Sequence, residues 1–188
     1  TKKKCYPILQ LRLHPKIKLL KKQIKKKNNV ELIYITPRGQ WYHQSWKGKE
    51  EKSGGIETNI GIHFFDMLIW IYGDCISFEI LYRDSKKSFG IMKLKKATVK
   101  WYLSIDKKDL DKISKNKKSF RKLIANGDSV DFTEGFDQLH TESYNQIFKN
   151  KGFSISNASK AVEIVHKIRN SKQKGSIKNL EKYISKFK

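Results

Sequence analysis

The stretch EKSGGIETNIGIHFFDMLIWIYGD, residues 51–74, constrains the fold most. It contains a glycine-rich turn followed by an apolar run, which predicts a helix over about 57–72. Asn59, His63 and Asp66 interrupt the apolar run at spacings of four and three residues, so they share one face of that helix. An apolar helix with such a face predicts either a ligand-binding site or a core histidine held by two polar neighbours.

Glycines surround this polar face. Ser53-Gly54-Gly55 lies just before the helix, where free backbone N–H groups are able to bind an anion. Gly61 lies between Asn59 and His63 and leaves room for a ligand or a backbone segment. The glycines favour a binding site, whereas an isolated Asn-x-x-x-His pair favours a structural histidine.

The composition agrees with one folded domain. The chain has 188 residues, of which 38% are hydrophobic, enough for a core. No apolar run reaches the roughly 18 residues of a membrane helix, so we expect no membrane partner. Cys5 and Cys75 have no partner spacing, which predicts free thiols and a cytoplasmic location. No Cys/His cluster predicts a metal.

The formal charge of +23 raises nucleic-acid binding as an alternative. However, Arg occupies only five positions and the other basic residues are Lys, whereas readers of base sequence depend on bidentate Arg contacts. The lysine runs at 2–4, 25–27 and 107–118 are scattered along the chain. We therefore interpret them as solvated lysine faces and expect any nucleic-acid affinity to be non-specific.

The pattern of the whole chain predicts an α+β fold with an open, largely antiparallel mixed sheet and helices on one face. Strands are predicted at 6–13, 30–36, 76–83, 89–95 and 97–105, with a hairpin over 119–132 that turns at Asn126-Gly127. Helices are predicted at 16–27, 137–149 and 156–171, the last capped by Ser156 or Asn157, and weakly in the basic tail. Residues 37–55 form a long polar and aromatic connection. The uncovered sheet face predicts a homo-oligomer.

Several segments resemble the Gfo/Idh/MocA oxidoreductases. GGIETNIGIHFFDMLIWIYG resembles the substrate-site helix of that family. LQLRLHP, YITPRGQWYHQSWKGKEEKSGGIETNIGIHFFDML, VKWYLSI and GFDQLHTESY resemble more closely its UDP-N-acetylglucosaminuronic acid 3-dehydrogenases, which serve bacterial surface-polysaccharide pathways. The resemblance extends over about residues 5–171.

The resemblance implies a domain organisation. The family has an N-terminal Rossmann domain with a G-x-G-x-x-G turn and a Glu-Lys-Pro segment, and neither occurs in this sequence. It implies that residues 1–175 are a substrate-binding and oligomerisation domain, that 176–188 are a basic C-terminal tail, and that the Rossmann domain is absent from this chain. NAD is then bound mainly by that missing domain, and the chain alone is expected to be inactive.

The resemblance also implies the site and its reaction. The reaction is NAD-dependent oxidation of the C3 hydroxyl of a UDP-N-acetylhexosaminuronic acid. His63 is the implied acid/base residue, and it shares that work with the lysine of the absent Glu-Lys-Pro segment. The implied substrate-binding residues are Asn59, Arg38, Tyr42, Gln10 and Arg12. From the residues alone, Arg38 is alternatively a solvent-exposed turn arginine, and Gln10 and Arg12 alternatively hold the missing domain.

Other interpretations remain open from the residues. His140 is expected to cap or pack a helix, and Trp41 and Trp46 either wall the sugar or pack the loop. For the whole chain, one alternative is a catalytically inert oligomerisation module from a truncated gene, and the other is a basic nucleic-acid-binding domain.

Overall fold

The computed structural model describes residues 3–24, 27–113 and 116–187. The strands are β1 (Asn28–Ile35), β2 (Cys75–Arg83), β3 (Lys87–Leu94), β4 (Ala97–Ser104), β5 (Phe120–Ala125) and β6 (Asp128–Asp131). They form one sheet of order β2-β3-β4-β1-β5-β6. β1 and β4 are parallel, and the other neighbouring pairs are antiparallel. The predicted open, largely antiparallel mixed sheet is confirmed.

The helices flank this sheet. They are α1 (Pro15–Gln23), α2 (Gln40–Gln44), α3 (Glu50–Ser53), α4 (Ile62–Tyr72), α5 (Lys107–Ile113), α6 (Leu139–Phe148), α7 (Ile155–Arg169) and α8 (Ile177–Ile184). Short 3-10 turns lie at Gln10–Leu13, Trp46–Gly48 and Ser185–Phe187, and a π-helical turn at Glu57–Gly61 leads into α4. The long connection over 37–55 therefore contains two short helices.

The main core lies between α4 and one face of the sheet. Val99, Trp101 and Leu103 of β4 are buried in it, as the alternation of that segment predicted. The ring of Phe65 meets Trp101 edge-on, with 5.5 Å between the ring centroids. A Cβ at Gly90 of the neighbouring strand would lie 2.3 Å from Cζ2 of Trp101, so the indole requires a glycine there.

A second cluster lies on the other face of the sheet. Phe89 and Tyr102 pack there against Leu180 and Tyr183 of α8, and Tyr183 stacks on Phe89 at 4.7 Å. Leu110 of α5 joins the same cluster. Helices therefore cover part of this face too, and the tail that was expected to be a weak helix contributes buried side chains to the core.

The strand predicted at 6–13 is wrong. Leu11, Arg12 and Leu13 are consecutive and all buried, which a 3-10 turn packed among helices allows and an alternating strand on a single buried face does not. The cap of α7 also differs from the prediction. It is Ser154, whose N–H donates to Oδ1 of Asn157 at 2.8 Å.

The described residues of the three lysine runs agree with solvated lysine faces. Lys3, Lys4, Lys107, Lys117 and Lys118 are exposed. Residues 2, 25, 26, 114 and 115 lie outside the described residues. Within residues 3–24, 27–113 and 116–187, no helix is long and apolar enough to cross a membrane, and no three His, Cys, Asp or Glu side chains group as metal ligands.

Candidate functional site

A cavity of about 280 Å³ lies beside α4 and the π-helical turn. Its polar lining is formed by Gln10, Tyr34, Arg38, Asn59, His63, Arg121 and His140. Its apolar lining is formed by Leu11, Ile60, Phe64 and Phe136. The structure thus brings together four residues that the sequence singled out: Gln10, Arg38, Asn59 and His63. None of the described residues that line the cavity is acidic.

Local backbone geometry presents the helix face to this cavity. Gly54 and Gly55 have φ values of +77° and +80°, a conformation that glycine adopts without strain. They reverse the chain between α3 and the π-helical turn, and the Thr58 hydroxyl donates to the Gly54 carbonyl at 2.8 Å. A π-helical turn inserts one extra residue into a helix and is frequent at functional sites. Asn59 lies within this turn.

His63 is a half-buried residue at the start of α4. Burial lowers the pKa of its imidazole below the ordinary value. The Asp66 carboxylate opposes that shift, and His140 adds to it. The ring is therefore neutral at neutral pH and able to accept a proton from a ligand in the cavity.

Asn59 and Tyr42 connect the cavity to α2. The Asn59 amide donates to the Lys47 carbonyl at 3.1 Å and to the Tyr42 hydroxyl at 3.4 Å. The guanidinium of Arg38 lies 5.9 Å from the centre of the Tyr42 ring. Tyr42 is buried and does not line the cavity. It contacts Arg38 and Asn59, which do line it.

Arg12 lies in a buried ion pair outside the cavity lining. Its Nε and Nη2 donate to the Asp66 carboxylate at 2.9 and 2.6 Å, and Nη2 also donates to the Asn157 carbonyl at 2.8 Å. The pair ties the 3-10 turn to α4 and α7. Among the described residues, the Asp66 carboxylate accepts from Arg12 and the Asn59 amide donates to Tyr42 and Lys47, so neither makes the hydrogen bond to His63 that a histidine held by these two neighbours would have.

The glycines do not form the open anion site that the sequence suggested. The buried Glu57 side chain lies beside Gly55 and accepts from the Ser88 hydroxyl at 2.8 Å, so the glycine turn faces a buried acidic side chain instead of open space. Gly61 allows close packing instead of ligand entry. A Cβ on it would lie 2.8 Å from the Phe65 ring and 3.0 Å from Leu103.

The two indoles of the connection are open to solvent. Trp41 is 57% exposed and Trp46 is 55% exposed, so they do not pack the loop. Lys47 Nζ lies 5.9 Å from the Trp41 ring and 5.8 Å from the Trp46 ring. His140 is exposed near the start of α6 and lines the cavity, a position that the expected capping or packing role did not include.

Arg121 is a charged cavity residue that the sequence reasoning missed. It comes from β5, and its register places it opposite Tyr34 of β1. Its guanidinium lies 4.0 Å from the centre of the Phe136 ring and 5.0 Å from that of Tyr34. A signal was present, because arginine occupies only five positions in this lysine-rich chain and its planar fork suits multidentate hydrogen bonding.

Three residues that line the cavity each have a buried polar atom without a hydrogen-bond partner among the described residues. These atoms are Nε of Arg38, Nε of Arg121 and Oε1 of Gln10. Buried polar atoms are normally paired, and each such exception needs an explanation. Two cationic donors and one acceptor without partners, on residues that line one cavity, fit a ligand that carries anionic oxygens together with an N–H or O–H group.

The domain thus combines a mixed sheet with a cationic, histidine-containing cavity beside one helix. Residues 18–109 match a protein-family model that is described as the C-terminal alpha/beta domain of an oxidoreductase family. The chain belongs to this family, Gfo/Idh/MocA, as its C-terminal domain, so the resemblance is confirmed.

Solved structures agree with this assignment. The WlbA (WbpB) dehydrogenase from Thermus thermophilus in complex with NAD and UDP-GlcNAcA is 37% identical, with a TM-score of 0.87, over 94% of this chain and 58% of that one. The same enzyme with NAD and alpha-ketoglutarate gives 38% identity and a TM-score of 0.86, over 92% of this chain and 58% of that one. A myo-inositol dehydrogenase from Corynebacterium glutamicum shares the fold, with 14% identity and a TM-score of 0.60 over 84% of this chain and 59% of that one. The chain therefore spans 58% of the length of the Thermus enzyme.

Proposed function

We propose that this chain is the substrate-binding domain of an NAD-dependent dehydrogenase that oxidises the C3 hydroxyl of a UDP-N-acetylhexosaminuronic acid in surface-polysaccharide biosynthesis. The observation that carries the proposal is the cavity, which is lined by two arginines without a carboxylate partner and by a histidine whose pKa is lowered by burial. The similarity to a dehydrogenase crystallised with NAD and UDP-GlcNAcA supports the choice of substrate.

The charge of the cavity supports an anionic substrate. Two guanidinium groups in one partly buried space repel each other unless an anion joins them. A nucleotide-sugar uronate brings a carboxylate and a diphosphate, and its hydroxyl and amide groups supply the donor that Gln10 Oε1 lacks. An entirely neutral sugar leaves both arginines without a counter-charge.

The side chains have distinct roles in the proposed reaction. His63 accepts the proton of the C3 hydroxyl, because its lowered pKa keeps the ring neutral. Asn59 orients the sugar from the π-helical turn, and Tyr42 fixes both Asn59 and Arg38. The hydride acceptor would be supplied by NAD, held mainly by the separate cofactor domain. Arg12 acts at a distance by holding the Gln10–Leu13 turn in place.

NAD binding belongs to a separate domain in this proposal. The 188 residues contain no G-x-G-x-x-G turn, which is the usual phosphate-binding element of a Rossmann domain. Isothermal titration tests the division of labour. We expect the 188-residue chain to bind UDP-GlcNAcA and not NADH. Micromolar NADH binding would contradict the assignment of NAD binding to a separate domain. The absence of UDP-GlcNAcA binding would contradict the proposed substrate site.

Two further parts of the proposal concern partners and location. The cluster around α5 and α8 leaves part of the second sheet face uncovered. This part contains the half-exposed Ile91 and Ile124, and we assign it to a homo-oligomer contact. Sedimentation equilibrium is expected to show a dimer or larger species, and a monomer at high concentration would refute this contact.

The free thiols of Cys5 and Cys75 agree with a cytoplasmic location.

An inert oligomerisation module does not account for the cavity. A protein whose only role is association has no need for buried guanidinium and amide groups without partners, because each such group costs free energy. The cavity therefore supports a ligand-binding domain, and a chain that binds no UDP-GlcNAcA in the titration above would favour the inert module from a truncated gene.

A further inference from the structure

We propose that Arg121 binds the sugar carboxylate and is the residue that makes the site selective for a uronate over the corresponding neutral sugar. This inference rests on the proposed function, since it names which part of the substrate one residue recognises. It concerns a residue of β5 that no sequence motif pointed to.

The first argument is the way in which the Arg121 guanidinium is held. Its Nη1 donates to the Ser119 hydroxyl at 3.0 Å and to the Thr133 carbonyl at 3.3 Å, so both hydrogens of that nitrogen are used. The Phe136 and Tyr34 rings lie beside the guanidinium at 4.0 and 5.0 Å. The side chain is thus fixed before any ligand binds, which lowers the entropic cost of binding.

The second argument is the edge that remains free. Nε of Arg121 is buried and has no hydrogen-bond partner among the described residues. Nη2 makes only a contact of 3.5 Å with the Tyr34 hydroxyl, at the outer limit of a hydrogen bond. The free donors therefore form the Nε–Nη2 edge of the guanidinium. No carboxylate of the described residues pairs with Arg121.

The same protein shows what this edge binds. Arg12 uses its Nε and Nη2 to hold the Asp66 carboxylate at 2.9 and 2.6 Å. A planar carboxylate with two oxygens matches this pair of parallel donors. Arg121 presents the same edge without a protein carboxylate, so a ligand carboxylate is the group that completes it.

Arg38 is better suited to the diphosphate. Among the described residues its guanidinium makes no hydrogen bond or ion pair, and its contact is with the Tyr42 ring. Its guanidinium thus has no protein acceptor among the described residues, which suits a group with several anionic oxygens such as a diphosphate. The two arginines then divide the two anionic groups of one substrate between them.

Isothermal titration of the 188-residue chain with two ligands tests this division. The ligands are UDP-GlcNAcA and UDP-GlcNAc, which differ only in whether C6 is a carboxylate or a hydroxymethyl group. We expect the wild-type chain to prefer the uronate. Arg121→Met is expected to weaken uronate binding about 10- to 100-fold, or about 1.4 to 2.8 kcal/mol, and to leave the affinity for UDP-GlcNAc within about threefold of wild type.

Three further variants complete the design. Arg38→Met is expected to weaken both ligands by similar factors, because both carry the diphosphate. Arg169→Met is the matched control, since Arg169 is an exposed arginine whose hydrogen bond goes to the Glu51 carbonyl at 3.3 Å, and it is expected to change neither affinity. Arg121→Lys keeps the charge without the two-donor edge and covers the case in which Arg121→Met does not fold. It is expected to lose most of the preference.

The outcomes separate this inference from the proposed function. If the wild-type chain binds both ligands and neither Arg121 variant changes their ratio, the role of Arg121 is refuted while the substrate class stands. If Arg121→Met weakens both ligands equally, Arg121 binds the diphosphate and the inference is also refuted. If the wild-type chain binds neither ligand, the proposed function fails, and this inference fails with it.

Discussion

The buried pair Arg12–Asp66 allows a sharp prediction about stability. Arg12 is 6% exposed and Asp66 is 3% exposed, so replacing Asp66 by Asn leaves a buried guanidinium without its counter-charge. Breaking a buried ion pair in this way costs about 3 to 5 kcal/mol. With a slope of about 2 kcal/mol/M in urea, the unfolding midpoint is expected to fall by about 2 M. Circular dichroism during urea unfolding measures this shift.

Two other variants show whether the loss comes from the unpaired charge. Arg12→Leu combined with Asp66→Leu removes both charges and is expected to recover most of the lost free energy of unfolding, because no charge stays buried. Glu163→Ala breaks the exposed i,i+4 pair with Lys167 and is expected to cost less than about 0.5 kcal/mol. A loss below about 1 kcal/mol for Asp66→Asn would refute the structural role of the pair.

Three further predictions concern the site and the core. In an enzyme that joins this domain to its cofactor domain, His63→Asn is expected to lower kcat by about 10² to 10⁴ with an unchanged circular dichroism spectrum, and near-native kcat would make His63 a structural residue. In the same enzyme, kcat/KM should fall as the pH is lowered, with an apparent pKa below 6.5, because burial lowers the pKa of His63 and the base must be neutral. An apparent pKa above 6.5 would indicate another base. Tyr183→Ala is expected to reduce the free energy of unfolding by about 3 to 5 kcal/mol, since its ring stacks on Phe89, whereas a change below 1 kcal/mol would mean that α8 is dispensable.

Local patterns predicted much of the sheet correctly. The clean alternation of β4 and the Asn126-Gly127 turn, with φ values of +52° and +96°, are properties of short segments. The segment 6–13 misled because Leu9, Leu11 and Leu13 alternate as in a strand. Its conformation depends on Arg12 meeting Asp66, which is 54 residues away in sequence, and no local pattern contains that information.

The site was predicted only in part, because local patterns do not contain the contacts between residues that are distant in sequence. Asn59 and His63 lie on one helix, and the family resemblance added Gln10 and Arg38. Arg121 reaches the cavity because β5 pairs with β1, a neighbourhood that depends on strand order. The buried role of α8 was missed because a tail rich in lysine conceals two buried side chains three residues apart, Leu180 and Tyr183.

The central claim is that the cavity beside His63 binds a nucleotide-sugar uronate. Side-chain NMR of the five histidines tests it most directly, because His63 and His140 line the cavity and the exposed His166 on α7 does not. On titration of the chain with UDP-GlcNAcA, we predict saturable shifts of the His63 and His140 ring signals and an unchanged His166 signal. Unchanged His63 and His140 signals at saturating ligand would contradict the claim.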